Sequence, residues 1–164
     1  MPILDAQTLD FFSRSPEQTR RLGMKLGALL QKGDVLCLSG DLGAGKTTLM
    51  QGIAQGWGTL DAVSSPTFVL VNIYRRSDGV NMYHMDAYRM ADASEAEDMD
   101  IDSMLENGVL VVEWAERIEA VLPKACLWVK MRYIADEQRG MVFSVRGARS
   151  EQLLSQFRRR VFGG

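Results

Sequence analysis

A glycine-rich segment in the first third of the chain carries the residue types that bind nucleotide phosphates. Gly40, Gly45, Lys46 and Thr47 match the spacing G-x-x-x-x-G-K-[ST], with an apolar run before them and a helical pattern after them. Glycines let the backbone curl so that successive N–H groups point at phosphate oxygens, and the helix start adds its positive dipole end. Lys46 would reach the β- and γ-phosphates, and the Thr47 hydroxyl would ligate Mg²⁺. The segment therefore predicts a site for ATP and magnesium.

A second feature is an acid at the end of a buried strand, which such a site needs to hold its metal directly or through water. The apolar run 109–112 is followed by Glu113 and Trp114, and no other apolar strand of this sequence ends in an acid in this way. Glu113 is therefore the candidate metal ligand, and both direct and water-mediated contact stay open. The alternative is a surface acid at a strand end.

The segment 83–89, Tyr-His-Met-Asp-Ala-Tyr-Arg, places several polar groups at the end of another strand. Asp86 could orient the attacking water or assist at the metal, and Arg89 could pair with an acid or a phosphate. His84 is the chain's one histidine, and such a residue is more often structural than catalytic. Thr67, in the segment 64–67, could be presented to the metal by a mobile loop, although that segment alone favours a turn before a strand.

The elements that must position these residues follow from hydrophobic periodicity. Ser15 caps a helix that begins at Pro16, with Gln18 completing a capping box and Gly33 suiting the helix end. Its apolar face comprises Leu22, Leu26, Leu29 and Leu30. Two continuous apolar runs, 35–38 and 109–112, indicate parallel strands buried on both faces.

The rest of the chain alternates between further strands and helices. The predicted strands are 67–74 and 80–85, joined by a turn at 77–79, and a late pair at 127–134 and 141–145. The predicted helical segments are 47–55, helical turns within 92–106, and a final helix from Ser150. We therefore predict one α/β domain over residues 1–164, P-loop NTPase-like, with a mostly parallel central sheet flanked by helices and antiparallel strands toward one edge.

Composition narrows the classes of protein further. A net charge of −2 argues against a protein whose main task is to coat nucleic acid. Cys37 and Cys126 lie in apolar runs and form no C-x-x-C pair, which favours core residues over a disulfide or metal site. The N-terminus does not resemble a signal peptide and no run reaches the length of a membrane span, so we expect a cytoplasmic protein without membrane contact.

Several segments together resemble one family, TsaE, the small ATPase of bacterial threonylcarbamoyladenosine tRNA modification. The matching segments, in order, are Ser15…Thr19…Leu22-Gly23, GDLGAGKTT at 40–48, VSSPTF at 63–68, YHMDAYR at 83–89 and VEW at 112–114. The phosphate loop occurs in many families, whereas the other combinations are far more specific. The resemblance runs from about residue 15 to 125. Ala87 departs from a frequent leucine, and 126–164 match no motif of the family.

This resemblance implies roles for individual residues and for partners. It implies magnesium at Thr47 and Glu113, a switch-like role for Thr67, and activity-linked roles for Asp86 and Trp114. The implied phosphate-binding residues are Gly40, Asp41, Leu42, Gly43, Ala44, Gly45, Lys46, Thr47 and Thr48. It also implies slow ATP hydrolysis that serves two partner proteins, TsaD and TsaB, which modify adenosine 37 of tRNA, so that tRNA is contacted indirectly.

Three other functions compete with this interpretation. A small-molecule P-loop kinase usually needs an arginine-bearing lid, and residues 90–116 contain no lysine or arginine. A regulatory GTPase needs N-K-x-D and D-x-x-G, which the chain lacks. A non-hydrolysing, nucleotide-gated binding module would share the phosphate loop, and only turnover with and without partners separates it from an ATPase.

Overall fold

A computed structural model of the protein describes residues 7–41, 43–63, 71–90 and 94–163. These residues form a three-layer α/β fold in which helices and turns cover both faces of one seven-stranded sheet. The elements in chain order are β1 Thr8–Ser13, α1 Pro16–Gly27, β2 Val35–Gly40, α2 Lys46–Trp57, β3 Val71–Arg75, β4 Asn81–Asp86, α3 Ser94–Glu97, α4 Ile101–Asn107, β5 Gly108–Glu113, the 3₁₀ turns Ala115–Arg117 and Glu119–Val121, β6 Cys126–Ala135, β7 Gln138–Arg146 and α5 Ala148–Phe162. In the described part of the chain, no helix combines the length and the apolar character that crossing a membrane requires.

The strand order of the sheet is β1-β7-β6-β2-β5-β4-β3. The four central strands, β6, β2, β5 and β4, run parallel to one another. The remaining strands are antiparallel, β3 beside β4 at one edge, and β7 followed by β1 at the other. The predicted fold class is confirmed, and antiparallel strands lie at both edges because two hairpins, β3–β4 and β6–β7, each have one strand in the parallel centre.

The central strands are buried on both faces, as their continuous apolar runs predict. In β2, Leu36 and Leu38 face the core beneath α1, α2 and α5, while Val35 and Cys37 face the core beneath α3 and α4. Every residue of β5, Gly108–Glu113, is buried. Strands β2 and β5 therefore pack on both faces, against one hydrophobic core on each side of the sheet. Their carboxyl ends carry the candidate site residues.

Helix α1 begins where its capping residues predict and ends earlier than its apolar face predicts. Ser15 Oγ accepts a hydrogen bond from Gln18 N, while Gln18 Oε1 accepts from Arg14 N, one residue outside the usual capping box. The helix stops at Gly27, not near Gly33, because the amides of Leu29 and Leu30 donate to i−3 carbonyl groups. Leu29 and Leu30 still pack on the core from this tightened turn.

Helices α1 and α2 approach each other closely along matched glycines. A Cβ atom at Gly52 would collide with the carbonyl oxygen of Arg20, and one at Gly27 would collide with that of Ile53. Gly23 and Gly56 make the same kind of backbone approach on their own helices. The helix that begins with Lys46 is thus fixed against α1 through backbone contact, which leaves little freedom for its N-terminal turn.

Among the described strands and α-helices, β1 is the one that the sequence patterns did not predict. It pairs with β7, with Thr8 opposite Ser144, so its partner lies more than a hundred residues away in the chain. The predicted strand 67–74 is described only from Val71, and residues 64–70 lie outside the described residues. The other predicted strands and helical segments are confirmed, with boundaries shifted by a few residues.

Candidate functional site

The glycine-rich loop connects the end of β2 to the start of α2 through backbone that favours glycine. Gly40, Gly43 and Gly45 have φ values of 134°, 79° and 99°, all in the region that side chains disfavour. A Cβ atom at Gly40 would also collide with the carbonyl oxygen of Met131 on β6. Leu42 lies outside the described residues. The described glycines therefore have the backbone freedom that a curled loop between a strand and a helix needs.

Lys46, the first residue of α2, folds back over its own loop. Its Nζ donates hydrogen bonds to the carbonyl oxygens of Gly40 at 2.5 Å and Asp41 at 2.8 Å. The same atom lies 4.2 Å from the centroid of the Trp114 ring. Burial lowers the pKa of this ammonium group, while the charge of Glu113 and other nearby acids opposes that shift. An anion entering the loop would offer Lys46 a stronger, charge-assisted partner than these neutral acceptors.

Glu113, at the end of β5, lies next to the loop strand and is almost completely buried. Glu113 pairs in register with Leu38 of β2 and with Asp86 of β4. Only 5% of its surface is exposed to solvent. Its Oε2 lies 2.5 Å from Nε2 of His84, whose Nδ1 lies 2.9 Å from the Tyr74 hydroxyl. The sequence favoured a structural histidine, and His84 is a buried residue that contacts the candidate metal ligand itself.

Asp86 lies beside Glu113 at the end of β4 and faces the same space. Its Oδ1 accepts a hydrogen bond from Tyr88 N at 2.9 Å. Burial raises the pKa of Asp86, and the Glu113 charge acts in the same direction, while that hydrogen bond and the charges of His84 and Lys46 oppose it. Two neighbouring carboxylates in a partly buried position are suited to binding a divalent cation or a water molecule.

Trp114 turns the chain sharply away from β5 and closes one side of the site. It has a left-handed backbone, with φ 58° and ψ 38°, which is uncommon for a bulky residue. Its ring packs against Tyr88, with 4.9 Å between the centroids, and Arg117 lies over both rings. The aromatic pair thus bridges the ends of β4 and β5 next to Lys46.

These side chains line one open cleft of about 430 Å³. Its lining residues are Gly43, Gly45, Lys46, Thr47, Thr48, Asp86, Tyr88, Glu113, Trp114 and Arg139. The structure therefore brings together both predicted metal ligands, the predicted lysine and Asp86, although their roles toward a nucleotide stay predictions. Thr67 lies outside the described residues, and Arg89 is exposed and does not line this cleft.

Sequence reasoning missed Arg139, which reaches the cleft from β7. Its Nε donates to the Gly43 carbonyl oxygen at 2.9 Å, across 96 positions of sequence. Tyr74 and Tyr88 were likewise given no role. Arg139 reaches the loop because β7 pairs with β6, which in turn lies beside β2. No local motif in residues 126–164 indicates this strand order.

The chemistry of the lining fits a magnesium-bound nucleotide. No group of three or more His, Cys, Asp or Glu in the described ranges is placed to hold a metal alone. Thr47 and the two carboxylates could supply oxygen ligands around a space in which phosphates would complete the coordination, as Mg²⁺ commonly requires. The loop glycines and the start of α2 would supply the complementary N–H groups.

Fold and cleft together define an α/β protein of the P-loop NTPase-like class. The family model described as "Threonylcarbamoyl adenosine biosynthesis protein TsaE" matches residues 13–141. The chain therefore belongs to the TsaE family, which takes part in tRNA threonylcarbamoyladenosine biosynthesis. The resemblance found in the sequence motifs is confirmed.

Individual proteins of this family are similar to the chain in sequence and in structure. The TsaE protein of Bacillus subtilis is 42% identical over 147 residues, which cover 88% of this chain and 90% of that protein. The TsaE protein of Treponema pallidum is 38% identical, over 77% of this chain and 93% of that one. Among solved structures, YdiB of Bacillus subtilis superposes with a TM-score of 0.78 at 33% identity, covering 94% of this chain and 97% of that chain.

Proposed function

We propose that this protein binds ATP with Mg²⁺ in the loop cleft and hydrolyses ATP slowly on its own. One observation supports this most directly. Lys46 and Thr47 of the phosphate loop share a cleft with Asp86 and Glu113, the acids that end the two parallel strands β4 and β5. P-loop hydrolysis uses a loop lysine, a loop threonine and an acid for the metal, and a further residue that positions the water.

Each residue has a distinct part in the proposed reaction. The backbone of residues 40–48 binds the phosphates, and Lys46 leaves its carbonyl partners to neutralise the β- and γ-oxygens. Thr47 and Glu113 would hold the magnesium, which when bound would supply positive charge against the phosphates. Asp86 accepts a hydrogen bond from the attacking water and orients it toward the γ-phosphate.

The cellular purpose of this ATP use follows from the family. Because the TsaE family serves tRNA threonylcarbamoyladenosine formation, we place the ATPase in that process, with TsaD and TsaB as partners and tRNA contacted through the complex. Slow intrinsic turnover is expected of a P-loop protein whose sequence marks no arginine, by its placement, as an internal finger. Partner binding then raises the rate, with Thr67 as the switch residue that the family resemblance implies. A tRNA substrate also makes the cytoplasm the expected location.

The test is reconstitution with TsaD, TsaB, threonine, bicarbonate, ATP and unmodified tRNA. Multiple-turnover formation of threonylcarbamoyladenosine should require this protein, and ATP hydrolysis should rise when both partners are added. The Lys46→Ala variant should fail to support this modification, to the same extent as when the protein is omitted. Lys32→Ala, which removes an exposed lysine elsewhere on the surface, is the matched control and should behave as the unaltered protein.

Two experimental outcomes would contradict the proposed function. Modification that cycles equally well without this protein would contradict the role in tRNA modification, while nucleotide binding could still hold. Transfer of phosphate to added nucleosides, detected as a phosphorylated product, would favour the small-molecule kinase instead.

A further inference from the structure

The β6–β7 hairpin extends past the phosphate loop on the side away from the carboxylates. Gly40, the last residue of β2, pairs with Met131, and β6 continues from there to Ala135 before β7 returns from Gln138. Since β6 and β5 flank β2 on opposite sides, the hairpin end and Glu113 lie on opposite sides of the loop. A nucleotide whose terminal phosphate is near Glu113 would therefore direct its nucleoside end toward the hairpin.

Arg139 presents a flat, fixed group at this end of the cleft. Its Nε donates to the Gly43 carbonyl oxygen at 2.9 Å, and its NH1 donates to the carbonyl oxygens of Asp136 at 2.7 Å and Gln138 at 2.9 Å. These three hydrogen bonds join the guanidinium both to the phosphate loop and to the hairpin turn. Its orientation is thus determined before any ligand binds, which lowers the entropic cost of stacking.

Tyr133 supports the guanidinium from behind. The Cζ atom of Arg139 lies 4.8 Å from the centroid of the Tyr133 ring, which is the distance of a cation–π stack. The Tyr133 hydroxyl in turn accepts a hydrogen bond from Asp136 N at 2.9 Å, and the residue remains 56% exposed. One face of the guanidinium is thus covered by an aromatic ring, while Arg139 also lines the cleft.

We propose that Arg139, supported by Tyr133, is the platform on which the nucleobase of the bound nucleotide stacks. The inference rests on the proposed nucleotide binding and adds the part of the site that contacts the base. Stacking on an arginine plane accepts any base because every base has a π-face. The platform therefore strengthens binding of nucleotides over inorganic polyphosphate while selecting weakly between adenine and guanine.

The experiment compares ATP with inorganic tripolyphosphate by calorimetry in the presence of Mg²⁺. The unaltered protein should bind ATP more tightly than tripolyphosphate. Arg139→Ala should weaken ATP binding roughly 5- to 150-fold, the range that base stacking energies imply, and leave tripolyphosphate affinity nearly unchanged. Tyr133→Ala should produce a smaller loss for ATP alone, and thermal melting of each variant establishes that it is folded.

Arg132→Ala is the matched control on the same hairpin. Arg132, on β6, pairs with Gly140 of β7, and its side chain is on the opposite strand face from Tyr133, because successive strand residues alternate. Arg132 is not one of the described residues that line the cleft. Both ligands should bind this variant as they bind the unaltered protein.

Each remaining outcome has a separate meaning. If the unaltered protein binds neither ligand, the proposed nucleotide site is wrong. If it binds both ligands equally, or if Arg139→Ala binds ATP normally, the phosphate site stands and the base platform is wrong. If Arg139→Ala loses both ligands to the same extent, Arg139 acts on the phosphates or on the loop, which also overturns the platform.

Discussion

His84 and Glu113 form a buried pair across β4 and β5, with 2.5 Å between Nε2 and Oε2. An ionised carboxylate only accepts hydrogen bonds, so the His84 Nε2 carries the proton and donates it. On the other side of the ring, Nδ1 lies 2.9 Å from the Tyr74 hydroxyl, within hydrogen-bond distance. This chain links three neighbouring strands and fixes the orientation of the carboxylate that we propose holds magnesium.

Replacing His84 should therefore affect both stability and turnover. His84→Ala leaves a buried carboxylate without this partner, and we expect the free energy of unfolding to fall by roughly 1–3 kcal/mol. Turnover of MgATP should fall as well, because Glu113 is no longer held in place. His84→Gln, whose amide can donate to Glu113, should recover part of both losses. Urea unfolding and steady-state ATPase assays measure the two effects, and unchanged values for His84→Ala in both would contradict a positioning role.

Lys46→Ala should weaken binding of ATP and ADP sharply. Losing a charge-assisted contact costs about 1.5–3 kcal/mol, which corresponds to roughly tenfold to over a hundredfold in affinity. Calorimetry with each nucleotide gives the comparison, and Lys32→Ala serves as the control for loss of one positive charge. Equal affinities for Lys46→Ala and the unaltered protein would remove Lys46 from the nucleotide site.

Thr47 and Glu113 should act on the same magnesium ion. Thr47→Ala and Glu113→Gln should each abolish most hydrolysis while leaving some nucleotide binding. Because the two side chains would share one metal, the double variant should lose less activity than the two separate losses predict. Magnesium-dependent ATPase rates provide this cycle, with Glu106→Gln as an exposed acid control. Additive losses would argue against a shared ion, and full turnover by Glu113→Gln would exclude that residue.

Gly52→Ala should destabilise the protein although alanine is the better helix former. Alanine gains about 1 kcal/mol in an exposed helix, but here the added methyl group meets the Arg20 carbonyl oxygen of α1. Overpacking of this kind costs about 1–3 kcal/mol, and a rigid backbone contact places the value toward the upper end. Urea unfolding should show this loss, whereas Ser155→Ala on the exposed face of α5 should change little. A stabilised Gly52→Ala variant would show that the two helices can separate at low cost.

The sequence by itself determined the features that depend on short spacing. The glycine positions of the loop, the lysine and threonine that follow it, and the cap at Ser15 are local patterns, because the backbone geometry that they serve spans only a few residues. Glu113 could also be identified, since a fully apolar strand that ends in an acid is recognisable within six residues.

Only the tertiary structure decided which distant groups meet these residues. Arg139 reaches Gly43 because β6 lies beside β2, and His84 reaches Glu113 because β4 and β5 pair in a particular register. Strand β1 exists only through its pairing with β7, and α1 ends at Gly27 through a tightened turn that its apolar periodicity does not indicate. Strand order and register depend on how residues from many segments pack together in both cores. No single segment of the sequence therefore determines them.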